Sequence, residues 1–390
     1  MQSSSIPSVV VVGGGVFGVS TALHLKRLGA DVRLVTAGSF GDGATGRSLS
    51  WLNSARFRSA EYHRLRLLGI DRYRTLAARR PDAPWLRFDG GLTWDTDDAS
   101  NGIAKAFEHE RSIGYDAILL SPDRVAAVTP GVDIRAITPQ GAKFNPGEGW
   151  VDLSELVGVM LEEFVALGGR ADAGVGLAEI ETTGGRASGV ALASGERIAA
   201  DAVALAVGPA SPKMLARFGA QIPDMTPISL LVRTAPLRHP LRAVLNTPRV
   251  ALRPAPDGGF ALDSAWSEEE VRVRDDGGYE VRDDTLVRLL AEASAVLEGN
   301  PRLRVAATGV GPKPIPGDAD PVLGEIDEAP GLHVVFSHSG ATLGLIVGEL
   351  IAESIVAGRP HPLLAPFRAT RFAAARTAGR LERARPLSLT

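Results

Sequence analysis

Gly13, Gly15 and Gly18 form a Gly-x-Gly-x-x-Gly run directly after four β-branched residues, Val9 to Val12. Such a run does a defined job between a strand and a helix. The first glycine makes a tight turn, the second lets a pyrophosphate approach the backbone, and the third lets the helix pack close to the sheet. The helix N-terminus then offers free N–H groups and a partial positive charge to the phosphates, and Val16 and Phe17, within the glycine run, are further candidate contacts. A ribose hydroxyl is usually held by an acid at the end of the following strand, about 20 residues on. Thr36 stands there, and the nearest acid, Asp42, lies in the next loop.

The elements that must position these residues are legible around them. Val9–Val12 reads as a strand buried on both faces, residues 20–28 carry helical spacing with Leu23, Leu25 and Leu28, and Gly29 closes the helix. Residues 31–35 supply a second strand, which completes a βαβ unit.

Other chemistries are poorly supplied. The 390 residues contain no cysteine, which removes disulfides, thiolate nucleophiles, Cys-ligated zinc and a cysteinyl cofactor bond. His24, His63, His109, His239, His333, His338 and His361 show no metal-binding spacing, so no metal is expected. A net charge of −3 and 5% aromatic residues argue against nucleic acid as a partner. The first eight residues have no basic segment, and residues 343–356 are interrupted by Glu349 and Glu353. That stretch is too short for a span, so a cytoplasmic protein with no membrane span is expected.

A second glycine-rich loop runs Gly41-Asp42-Gly43-Ala44-Thr45-Gly46-Arg47-Ser48. Together with the first βαβ unit it resembles the D-amino-acid-oxidase-like family of FAD-dependent oxidoreductases, which includes glycine oxidase and sarcosine oxidase. The resemblance implies that Thr45, Gly46, Arg47 and Ser48 contact the cofactor. It continues through Glu148-Gly149-Trp150-Val151-Asp152, a helix over residues 153–167 and a three-stranded meander with turns at Gly184-Gly185 and Gly195. Asp201 to Gly208 resembles the strand that closes the FAD site, with Ala206 and Gly208 at the cofactor and Val175 beside the adenine. The aromatic residue usual after that glycine is replaced by Pro209-Ala210-Ser211.

The C-terminal third carries the most specific match. Residues 309–318 resemble the segment that passes the flavin ring. Residues 331–336 then give a strand, and Ser337-His338-Ser339-Gly340-Ala341-Thr342-Leu343-Gly344 opens a helix through Ala357. Gly340, Ala341, Thr342 and Leu343 are thereby implied as cofactor contacts, at a helix N-terminus suited to negative charge on a reduced flavin.

The fold implied is α/β: a Rossmann-like FAD-binding domain of the glutathione-reductase type with an inserted, mostly antiparallel substrate domain. Residues 1–85, 146–225 and 305–372 are assigned to the first, and 86–145 and 226–304 to the second. Residues 61–80 read as a helix packed on the cofactor domain. Family members that oxidise amino acids place an arginine from the substrate sheet against the carboxylate. Arg253 lies at about that place, with Arg233 and Arg249 near it in sequence. Arginine outnumbers lysine 37 to 5, so Lys313 draws notice, either as a group near flavin N5 or as a partner of Asp318 or Asp320. His338 is the remaining catalytic candidate, as a hydrogen-bonding group or a proton acceptor.

The implied activity is hydride transfer from the C–H beside an amine nitrogen to flavin N5, giving an imine that water hydrolyses. The substrate is an amino acid or secondary amine, the electron acceptor oxygen or another compound, and FAD is expected to be non-covalent. A weakly binding or non-catalytic protein of the same fold, a specialised biosynthetic flavoenzyme and a flavin monooxygenase are the alternatives. The basic extension 373–390 (Arg376, Arg380, Arg383, Arg385) reads as a solvated helix, with contact to a second copy of the chain as the other expectation.

Overall fold

A computed structural model describes residues 6–377, which divide into two compact units. Residues 6–46, Leu153–Pro227 and 312–377 make the first, and Arg47–Asp152 with Ile228–Gly311 the second.

In the first unit, a six-stranded sheet runs in the order Val322–Glu325, Leu332–Phe336, Ala202–Leu205, Ser8–Val12, Asp31–Val35 and Arg170–Asp172. Its pairings are parallel except at the Val322–Glu325 edge. The central strands are buried along both faces, which is why they read as unbroken apolar runs. The meander Glu179–Thr183, Arg186–Ala191 and Arg197–Ala199 forms its own antiparallel sheet, as its turn glycines predict.

The first helix spans Val16–Arg27, one turn earlier than the leucine spacing suggests, because the glycine run itself supplies the N-cap at Gly15. It crosses the helix Gly340–Ala357 closely: a Cβ on Gly348 would lie 2.2 Å from Ser20 Oγ. Gly340–Ala357 runs to the end that the sequence predicts. By length and composition alone it could cross a bilayer, with mean hydropathy 1.6 over 18 residues, yet 72% of it is buried within the protein. A core helix has the same signature.

The second unit is built on an eight-stranded sheet. Across it, Val232, Leu262, Leu252, Leu245, Leu92 and Phe144 stand directly opposite one another, strand to strand. They share one face and form the core of this unit, with Leu289 and Ala293 of the helix Asp283–Ala295 among its members.

Residues 47–85 group with this unit rather than with the six-stranded sheet. The helix Ala60–Arg79 is held there by Arg66, whose Nε donates to Asn53 O (2.8 Å) and Nη2 to Asn53 Oδ1 (3.0 Å). Of the C-terminal extension, Thr370–Thr377 is helical, while Arg380, Arg383 and Arg385 lie outside the described residues.

Candidate active site

The glycine run forms a cradle backed by the end of the strand Ala202–Leu205. Gly13 has φ of 120°, and a Cβ there would lie 2.2 Å from Ala206 O. A Cβ on Gly18 would lie 1.8 Å from Gly13 O, so the first helix sits directly on the turn. Gly15 differs, because its Cβ would meet Thr45 Oγ1 at 3.0 Å and nothing else within 4 Å. Gly13 and Gly18 therefore close the turn, while Gly15 faces open space.

Val16 N donates to Thr45 Oγ1 (3.0 Å), which ties the second glycine loop to the helix start. The amides of Phe17 and Gly18 have no acceptor among the described residues, as expected of a helix's first turn. Gly340 packs against Val16 and Phe17, so two helix N-termini converge. Neither first turn contains an acid. In the second helix Gly340 N donates to His338 O and Leu343 N to Ser339 O (both 3.0 Å). The amides of Gly340 and Leu343 are thus already engaged, and Ala341, Thr342 and Leu343 are buried, while Gly340 is only half-buried. Two positive helix ends without acids, and an open glycine between them, fit a dinucleotide diphosphate.

Thr36 is buried under the cradle, its Cβ and Oγ1 within 2.8 Å of where a Gly14 Cβ would be. Its amide donates to Asp172 O (3.0 Å), and its carbonyl accepts from Val175 N (3.1 Å). Residues 36–38 and 174–176 therefore run side by side, which brings Val175 next to Thr36. Asp42 turns back on its own loop, where its carboxylate accepts from Ser39 N (2.8 Å). Gly208 adopts φ of 55° with nothing near its missing Cβ. Ala206, by contrast, supports the turn from behind.

Not every expected residue joins this cradle. Arg47 belongs to the second unit, where its side chain lies over Gly309 and Gly311. Ser48 caps its own turn, with Oγ accepting from Ser50 N (3.0 Å). Gly46 closes the loop by donating to Gly43 O (3.2 Å). Lys313 is half-buried in the first unit, and its amide donates to Pro227 O (2.9 Å). Arg371 takes Asp318 instead, at 2.7 Å from Nε and 3.0 Å from Nη2. His338 is exposed.

The face of the second unit's sheet opposite its core is polar. Arg233 and Arg253 both stand opposite Ala261, so the two arginines flank one small residue on that face. Asp263, Ala251, Asn246, Thr93 and Lys143 form the adjacent row across five strands. Arg253 is 1% exposed, and each of its nitrogens has a protein acceptor. Nε donates to Leu49 O (2.5 Å), Nη1 to Pro254 O (2.8 Å) and Nη2 to Asp152 Oδ2 (3.3 Å). Its guanidinium also lies 5.0 Å from the centre of the Trp150 ring. Burial lowers its pKa to about 10, opposed by Asp152, and it stays charged at neutral pH.

Arg233 is different. Its Nη2 donates to the same Asp152 oxygen, its side chain is 32% exposed, and Nε and Nη1 have no acceptor among the described residues. Arg249 is a surface residue paired with Glu292 (3.0 Å) and stacked on Trp266.

Sequence reasoning missed the buried partners behind this face. Glu110 is fully buried and takes the ammonium of Lys143 and the amide of Asn145 (2.8 Å). Lys143 is one of only five lysines, so its rarity was a usable signal.

Comparison with known proteins decides the family. A family model described as FAD dependent oxidoreductase matches residues 8–354. The chain belongs to that family. It is 27% identical over 307 residues to a D-amino acid dehydrogenase from Sinorhizobium medicae (strain WSM419), covering 61% of this chain and 70% of that protein. Its fold is shared with L-amino acid deaminase from Proteus myxofaciens (TM-score 0.81, 19% identity, 94% of each chain). Glycine oxidase from Bacillus cereus ATCC 14579 is also similar (TM-score 0.78, 21% identity, 92% of this chain and 97% of that one). This FAD-dependent oxidoreductase thus has the mixed α/β fold that its sequence predicts.

Proposed function

We propose that this FAD-dependent oxidoreductase oxidises the C–N bond of an amino acid and that Arg233 holds the substrate carboxylate. The observation that carries the reading is the state of Arg233: one edge tethered to Asp152, two nitrogens without acceptors among the described residues, on a polar sheet face. A guanidinium fixed on one side presents paired N–H donors on the other, which suits a carboxylate. Arg253, with every nitrogen engaged, supports the same face from within. The relationship to a D-amino acid dehydrogenase agrees with an amino-acid substrate.

Bound without a covalent link, FAD supplies the acceptor for two electrons and the hydrogen leaving the carbon beside nitrogen. The substrate loses that C–H hydrogen and an N–H proton to become an imine, and water then gives the carbonyl compound and the free amine. The amides of Phe17, Gly18 and Ala341 are proposed to hold the diphosphate and flavin edge, with His338 and Lys313 as further polar contacts from the first unit.

The test is the flavin absorbance of purified protein during anaerobic addition of D- and L-amino acids, glycine, sarcosine and amines lacking a carboxylate. Bleaching by an amino acid, with the matching decarboxylated amine at least tenfold poorer in apparent affinity, is expected. Equal bleaching by the decarboxylated amine refutes the carboxylate anchor. Release of flavin on acid precipitation checks the non-covalent attachment.

A further inference from the structure

Within the second unit lies a buried hydrogen-bonded chain that the proposed function does not use. Glu148 is fully buried. Its Oε2 accepts from Trp51 Nε1 (2.8 Å) and its Oε1 from the Tyr115 hydroxyl (2.5 Å). The Tyr115 oxygen in turn accepts from Ser54 N (2.9 Å), and Ser54 Oγ is bonded to His63 Nδ1 (2.7 Å). A Cβ on Gly91 would lie 2.3 Å from Glu148 Oε2, so the carboxyl occupies room that only a glycine leaves.

The charges around it are otherwise engaged. Lys143 and Asn145, on the strand Ala142–Asn145, are held by Glu110 of the helix Ile103–Ser112. From the helix Ala60–Arg79, Arg66 donates to Asn53, and burial holds His63 below its ordinary pKa, mainly as the neutral ring. Glu148 therefore has two neutral donors and, among the described residues, no cation in hydrogen-bond contact.

That donor set distinguishes the two forms of the carboxyl. A carboxylate offers two acceptors, and the structure supplies two donors. A carboxylic acid has one proton to donate, and an indole cannot receive it. The Tyr115 oxygen would have to accept it and turn its own proton away. Burial pushes Glu148 up to about 7, with Lys143 and the Tyr115 and Trp51 bonds pulling downward, so both forms lie within reach of neutral pH.

We propose that Glu148 is a positioning residue whose proton governs the segment 49–56, fixing Trp51 and, through Tyr115, Ser54 when ionised and loosening the Tyr115 end when protonated. The segment contains Leu49, whose carbonyl takes Arg253 Nε, and Asn53, which takes Arg66. Its order thus bears on the Arg253–Asp152–Arg233 group. The consequence for substrate affinity rests on the reading of Arg233 as carboxylate anchor; the consequence for the segment does not.

Amide hydrogen exchange of the peptide covering residues 49–56, in the FAD-loaded protein from about pH 5.5 to about 8.5 and corrected for intrinsic exchange, is the test. Protection should rise through a single step near neutrality, by about tenfold at Ser54, and Glu148→Gln should abolish the step. Tyr115→Phe cuts the link to Ser54 and removes one donor to the carboxylate. The step should then vanish at Ser54 while at Trp51, still bonded to Glu148, it moves to higher pH, which decides the matter should the glutamine variant not fold. A flat wild-type profile, a step that survives in Glu148→Gln, or an unmoved midpoint at Trp51 in Tyr115→Phe overturns the proposal. The substrate KM should follow the same step. A step in exchange with an unchanged KM in Arg233→Met upholds Glu148 and refutes Arg233, whereas no step combined with a raised KM in Arg233→Met refutes Glu148 alone.

Discussion

Replacing Arg253 and Arg233 in turn by methionine separates a structural arginine from a substrate-binding one. Methionine retains much of the aliphatic stem, so the changes chiefly remove the guanidinium. At position 253 the loss leaves Leu49 O and Pro254 O without their donors and Asp152 with a single arginine. An unsatisfied buried acceptor costs about 1–3 kcal/mol, and breaking a buried ion pair about 3–5 kcal/mol. Relief of the desolvation of Arg253 itself offsets part of this, since its burial is what lowers its pKa to about 10. A net loss of ~3–5 kcal/mol follows, a large share of a typical domain's stability. Arg233, 32% exposed with one partner, should change stability by less than about 1 kcal/mol on the same substitution. Its removal should instead raise the substrate KM by about 30-fold or more, as loss of a charge-assisted pair predicts. Urea denaturation followed by circular dichroism measures the first quantity, and initial rates well below the denaturation midpoint measure the second. The reverse pattern, with Arg253→Met as stable as wild type but crippled in KM and Arg233→Met unaffected in KM, would refute the reasoning.

Three further substitutions probe the first unit. Gly18→Ala would put a Cβ 1.8 Å from Gly13 O, so the turn must open; the purified protein should lose its flavin absorbance, and retention of bound FAD counts against the cradle. Thr36→Glu would supply the missing carboxylate for a ribose hydroxyl, with Asp42 unable to do so while it caps Ser39. FAD should bind about five- to tenfold tighter by fluorescence titration, the worth of about 1 kcal/mol in a charged over a neutral hydrogen bond. Burial depresses His333 to about 4, so the folded state favours its neutral ring. The stability this contributes is complete above the unfolded value near 6.5 and is lost as pH falls from there towards 4. His333→Gln should flatten that acid limb of the denaturation profile, and an unchanged limb would place its cause elsewhere.

The parts of this protein that could be read in advance are those in which neighbours in space are neighbours in sequence. The glycine run, its strand and its helix span residues 8–27, and the steric need at Gly13 and Gly18 is local. On the eight-stranded sheet, by contrast, Arg233 and Arg253 look equivalent, because both alternate with core residues and both stand opposite Ala261. Asp152 accepts from Nη2 of both; what separates them is burial and Leu49 O, 204 residues from Arg253, which takes its Nε. The scarcity of lysine directed attention to Lys313, on a recognisable segment, while the lysine that is fully enclosed is Lys143, paired with Glu110 33 residues away. Burial of a cation demands a specific partner, and the partner comes from whichever element the fold brings over the strand. The motif Glu148-Gly149-Trp150-Val151-Asp152 shows the same limit. Its alternation puts Glu148, Trp150 and Asp152 on one side of a short strand. Trp51, the Arg253 guanidinium and Arg233 respectively meet those three side chains. A five-residue signature thus organises the polar face of the second unit, and its chemistry becomes visible only when the three distant partners are in place.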